Sequence, residues 1–219
     1  MKQMYNQPEY CWLLAVCITI FFLAGCQKET STNTMKTNVV VGSTIIYTDI
    51  NPDQPLACTP ATLQPHVIGC STVYSLDLNN DGTIDFSIAY MYNIMSMGVE
   101  GVSTTTITVI ITSLNHSAVV IDSVFPLAMN TNDSISQGSR WKSDTTLTLK
   151  YFVRKCSLGC YTISNGNWFS NTDKFLGLQF KKGGKIYYGW ALLAGDASVI
   201  RGYAYNSAFN LPILAGQTQ

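Results

Sequence analysis

The chain has 219 residues and 24.1 kDa, enough for one large domain or two small ones, with 13 basic residues balancing 13 acidic ones. That neutrality gives no electrostatic reason to expect nucleic acid as a partner. Charged residues make up only 12% against about 25% in an average soluble domain, a composition typical of extracytoplasmic β-proteins and unlike a cytosolic enzyme.

Cys11 to Leu23 is a single apolar run. It is too short for a membrane-spanning helix, which needs about 20 residues, and has the length of a signal-peptide core. Leu23-Ala24-Gly25-Cys26 follows at once. This tetrad resembles the lipobox of bacterial lipoproteins, although Lys2 opposed by Glu9 makes a weak positive flank. The resemblance implies cleavage before Cys26, acylation of that cysteine and attachment to a membrane through it. In that family an Asp after the Cys retains the protein at the inner membrane, so Gln27 implies the outer membrane, with the periplasmic and exterior faces both open. The acyl chains would anchor firmly, each buried CH₂ contributing about 0.8 kcal/mol. From Cys26 to Asn38 the chain is polar and has nothing to bury, so it reads as a tether to a domain spanning 39–219.

Three of the seven cysteines fall in the signal and lipid site, leaving Cys58, Cys70, Cys156 and Cys160. An even remainder in an oxidising compartment predicts two disulfides, with three connectivities available. The local pairs 58–70 and 156–160 are favoured, because the Pro and Gly residues around them supply turns. A zinc site is the poorer reading, since Cys58 and Cys70 are too far apart for a second knuckle.

Val39 to Tyr47 reads as a first β-strand, broken by Thr48 to Pro55. Asp49-x-Asn51-x-Asp53 alternates oxygen side chains, but Gln54 stands where a turn glycine is needed, so a loop is the plainer reading.

Val73–Leu78 and Ile84–Tyr92 read as strands bracketing Asp77-Leu78-Asn79-Asn80-Asp81-Gly82-Thr83-Ile84-Asp85. Asp77, Asn79, Asp81 and Asp85 occupy positions 1, 3, 5 and 9 of an acidic calcium loop, with Gly82 at position 6. Position 12 is Ile88 instead of Glu, which excludes an EF-hand. The pattern is similar to Asp-x-Asn-x-Asp-Gly-x-x-Asp loops of bacterial secreted and surface proteins. That resemblance implies calcium held by those four side chains and the Thr83 carbonyl. The competing reading is an Asn-Asp-Gly turn with no ion.

Val99–Leu114 carries the strongest β signal, Thr104 to Thr112, with Ala118–Val124 as its expected partner strand. Leu127–Asp144 reads as polar loop and Thr145–Val153 as strand. Phe175–Phe180 and Ile186–Leu192 form a hairpin across Gly183-Gly184, and Val199–Tyr205 with Leu211–Leu214 closes the chain. No window of helical length shows a 3.6-residue period with caps. Nine to eleven short strands predict an all-β fold, a single β-sandwich of jelly-roll type. Residues 166–216 resemble the terminal segment of uncharacterised bacterial secreted β-sandwich proteins, which implies that fold and no activity.

Catalytic constellations are absent from this reading. Only His66 and His116 exist, Gly-x-Ser-x-Gly is missing, and Glu100 is the only Glu beyond the tether. His116, Asp122 and a serine would be the one conceivable triad. Aromatic residues offer a binding route instead: Trp141 and Trp168, in polar surroundings, are the candidates for stacking on a glycan. Core packing is the competing role for the aromatics as a group. The sequence thus points to a lipid-anchored envelope protein, a non-catalytic binding or adhesion module. The alternative is a glycan-binding or carbohydrate-active accessory protein, with a glycan or another envelope protein as partner.

Overall fold

A computed structural model describes residues 44–97 and 102–219. The signal segment, the lipobox Cys26, the tether and Glu100 lie outside the described residues. The described residues contain fourteen strands. In chain order these are β1 (Ile45–Pro55), β2 (Ala61–Gln64), β3 (Val67–Leu76), β4 (Phe86–Ser96), β5 (Ser103–Ser113), β6 (Ala118–Val120) and β7 (Ser134–Ile135). There follow β8 (Trp141–Ser143), β9 (Thr146–Cys156), β10 (Cys160–Gly166), β11 (Lys174–Lys182), β12 (Lys185–Leu193), β13 (Val199–Asn206) and β14 (Ile213–Leu214).

They build a β-sandwich of two antiparallel six-stranded sheets, ordered β1-β13-β12-β11-β6-β8 and β10-β9-β5-β4-β3-β2. β7 and β14 pair separately. Alternation along the second sheet explains the core. Phe86, Ile88 and Tyr90 of β4 stand opposite Ile111 and Val109 of β5 on the inner face, while Ala89, Met91 and Asn93 point outward. Inner residues Leu176, Leu178 and Phe180 of β11, with Ala191, Ile200 and Tyr203, complete this cluster from the first sheet.

The first sheet is buried on its other face too. Phe175, Tyr188, Trp190 and Ala204 pack there with Val120, Met129, Ile135, Ile213 and Ala215, contributed by the 120–135 segment and the β7–β14 pair. This double burial explains why β11 and β12 read as nearly continuous apolar runs, where the half-exposed strands of the second sheet alternate. Gly183 and Gly184, both at positive φ, make the tight reversal between β11 and β12.

Several expectations are corrected. β1 continues through Pro52 to Pro55, because it is an edge strand whose outward N–H groups need no partner, and a register shift between Asp49 and Gln54 absorbs the prolines. β6 does not pair with β5. It crosses to the first sheet, between β11 and β8, where Ala118, Val119 and Val120 are all buried. A strand apolar at every position suits the doubly covered sheet and not the one with a free face. The Leu127–Asp144 segment holds two short strands, β7 and β8, within its loops. Both disulfides form as the favoured local pairs, with Cα–Cα distances of 5.9 Å for Cys58–Cys70 and 4.1 Å for Cys156–Cys160.

Candidate functional site

The acidic loop Asp77–Asp85 joins β3 to β4, strand to strand. Asp85 N–H donates to the Leu76 carbonyl at 3.0 Å and closes its base. Leu78 is fully buried and pins the loop to the sandwich. It rests against Gly189, where an added Cβ would stand 3.0 Å from Leu78 Cδ2.

Around that pin the oxygens are arranged by backbone amides. Asp77 accepts from Asp81 N–H at 3.2 Å and from Gly82 N–H at 2.6 Å, one bond to each carboxylate oxygen. Asp81 accepts from Thr83 N–H at 3.0 Å and pairs with Lys182 Nζ at 3.2 Å. The Thr83 amide, and after it Lys182, hold the Asp81 carboxyl below its ordinary range. Asp85 is 4% exposed; it accepts from Leu78 N–H at 2.9 Å and Ser117 Oγ at 3.5 Å. Burial pushes its carboxyl up to about 6, the Leu78 amide opposing and the charges of Asp77 and Asp81 adding to the rise. Asn80, at positive φ, accepts from the Tyr203 hydroxyl at 3.1 Å.

Does this set fit calcium? The donors are hard oxygens, and each carboxylate keeps lone pairs beyond those its amide partners use. Asn79 Oδ1 is buried without a hydrogen-bond partner, the sort of orphaned acceptor a cation would satisfy. Against this, no three acidic, His or Cys side chains gather around one point among the described residues. The donor chemistry suits calcium, with the three carboxylates spread along the loop and not clustered at one point. In the second alternating stretch the carboxylates are engaged by other side chains: Asp49 accepts from the Tyr47 hydroxyl while Asp53 pairs with Arg201.

The two tryptophans separate. Trp168 is 0% exposed and belongs to the main core, which corrects its expected glycan-facing position. Its polar neighbours misled because the chain turns inward after β10. Gly166, at φ 103°, approaches Leu149 so closely that a Cβ would stand 2.2 Å from the Leu149 carbonyl oxygen, and Trp168 N–H then donates to that oxygen at 3.3 Å. Trp141 is half-buried. It stacks on Tyr188 at 5.6 Å between centroids and donates its indole N–H to the Ser136 carbonyl.

Trp141 also lines a groove of about 530 Å³ with Ile121, Ser123, Val124, Arg140, Lys142 and Leu147. The volume lies within the range of about 300–1,000 Å³ seen for small-ligand sites. One Arg140 N–H is spent on the Asp122 carbonyl, leaving other donors of its fork available. The sequence reading missed Arg140 and Lys142. Their signal was Arg-Trp-Lys in a charge-poor chain, a triplet whose significance depended on a concavity that no residue pattern displays.

The conceivable triad is not assembled. His116 Nδ1 lies 3.3 Å from Asp144. Asp122 instead takes Asn167 and the backbone amides of residues 123–125, which hold its carboxyl well below the usual range, Asn167 foremost.

Comparison with family models, with curated proteins and with solved structures finds no match for this chain.

Proposed function

We propose that this chain is a lipid-anchored protein of the bacterial cell envelope whose β-sandwich binds a ligand without transforming it. On this reading Cys26 tethers it to the outer membrane, and a calcium ion rigidifies the Asp77–Asp85 loop. Support for the compartment comes from the lipobox-like tetrad and from two disulfides, which persist where the surroundings oxidise thiols. The observation that carries the binding reading is the Trp141 groove, a concavity of mixed lining in which Ile121, Val124, Trp141 and Leu147 stand beside Ser123, Arg140 and Lys142.

A second reading, a glycan-binding accessory protein, draws on the same groove. A flat indole suits the apolar face of a pyranose, and the Arg140 and Lys142 cations suit hydroxyl and carboxylate substituents. Screening the protein on a glycan array, beside Trp141→Ala, tests both. Glycan binding lost in the variant supports the saccharide reading. Glycan binding that survives the variant removes the groove as its site, and an empty array leaves a protein ligand for the groove.

Calcium would supply charge neutralisation in the loop, with Asp77, Asn79, Asp81, Asp85 and the Thr83 carbonyl as its holders. Thermal melts with calcium and with EDTA test this, because an ion that binds only the folded chain raises Tm by mass action. A calcium-dependent rise in wild type that is absent in Asp81→Ala is the expected result. Equal melting points in calcium and EDTA would reduce the loop to a turn.

A further inference from the structure

We propose that two copies of this chain associate edge to edge through β10, antiparallel, joining their second sheets into one twelve-stranded sheet. The proposal goes beyond the binding reading and depends on neither the groove nor the calcium loop.

An edge strand offers a row of unpaired N–H and C=O groups, and proteins guard such edges with proline, bulges, charges or brevity. The two six-stranded sheets have four edges. β1 carries Pro52 and Pro55 and a register shift. β2 has four residues, lies between Pro60 and Pro65, and is also shifted. β8 has three residues, one of them Lys142. Among the described residues, β10 has none of these devices. It runs for seven residues, Cys160 to Gly166, with no proline and no charge, in unbroken register with β9. Every residue from Cys160 to Asn165 is exposed, with Tyr161 at 56% and Ile163 at 45%.

The strand is also complementary to itself. Centred on Ile163, an antiparallel pair places Ile163 opposite its own copy, Thr162 opposite Ser164, and Tyr161 opposite Asn165. β-Branched pairs and Thr–Ser pairs are favourable cross-strand neighbours, and no like charges meet. The cations beside it, Lys150, Arg154 and Lys155, sit on β9. The two β9 strands would lie three strand spacings apart, about 14 Å, beyond the screening length of about 8 Å at physiological salt. Because β10 itself is uncharged, a second β10 meets it with no charge left unpaired at the contact, which favours a second copy as the occupant. One strand pair is small beside the roughly 1,200–2,000 Å² of a stable interface, so association should depend on concentration.

The test uses the full-length chain in detergent. Directly opposed residues in an antiparallel pair have Cα atoms about 4.5–5.5 Å apart, within disulfide range. Ile163→Cys should therefore give a covalent dimer on mild oxidation, at several times the yield of Leu63→Cys on the exposed but guarded β2. Ile163→Lys, at an exposed position that leaves the fold intact, opposes two cations and should shift the sedimenting species from dimer to monomer. A crosslinking yield at Ile163→Cys no greater than at Leu63→Cys would overturn the proposal, as would wild type sedimenting as a monomer at every concentration.

Discussion

Replacing Asp85 by asparagine tests the electrostatics of the acidic loop most directly. The Asp85 carboxyl is 4% exposed and faces the charges of Asp77 and Asp81, which together with burial raise it from 3.8 to about 6. A gap of about 2 pH units, at about 1.36 kcal/mol each, corresponds to about 3 kcal/mol. The sign follows from the direction of the rise. The unfolded chain loses this proton first, so between pH ~4 and ~6 the folded chain binds more protons, and stability falls as pH rises. The contribution is complete below pH ~4 and gone above pH ~6. An asparagine in its place keeps an oxygen for the Leu78 amide and cannot ionise, so the variant should show no such slope. Urea unfolding in EDTA, from roughly pH 3.5 to 7.5, measures both proteins across that window. Subtraction cancels carboxylates remote from the loop, such as Asp122, whose lowered value acts in the opposite sense. Wild type should lose about 3 kcal/mol relative to Asp85→Asn across the window. Parallel curves, or a wild type that gains on the variant with rising pH, would refute the account. If calcium fills the loop, adding it should flatten the slope, since the cation favours the ionised form.

Trp168→Ala should cost about 3–5 kcal/mol in chemical unfolding, as for other large buried side chains. Trp168→Phe should cost clearly less, because it also removes an indole N–H that is buried without an acceptor. Trp141→Ala, at a half-buried site, should lower stability less than Trp168→Ala. Equal losses at the two tryptophans would contradict their different burial. Removing the Cys58–Cys70 bridge through a Cys58→Ser, Cys70→Ser double variant should cost about 3 kcal/mol, from the 12-residue separation it closes, against about 2 kcal/mol for the shorter Cys156–Cys160 loop. Thermal or urea unfolding reads both, and a larger loss at the shorter loop would count against the loop-entropy estimate.

Local chemistry determined what the sequence could declare by itself. β-Branched runs such as Thr104–Thr112 form strands because their side chains suit a pleated surface. Gly183-Gly184 turns because only glycine takes two successive positive φ values without cost. Cys58–Cys70 and Cys156–Cys160 pair because short separations with turn residues bring them together. The acidic loop was legible for the same reason, since its donors are nearly contiguous. Strands β2 and β10 escaped because their alternation is only two apolar residues long (Ala61 and Leu63, Tyr161 and Ile163) and marks no buried face, every one of these side chains being exposed.

Only the tertiary structure decided which sheet each strand joined. β6 follows β5 in the chain yet lies beside β11, because its continuous burial is satisfied only where both faces of a sheet are covered. It also decided that two tryptophans in similar polar contexts part company, one in the core and one at a groove. Burial is a sum over neighbours distant in sequence, which is why spacing along the chain could not announce it.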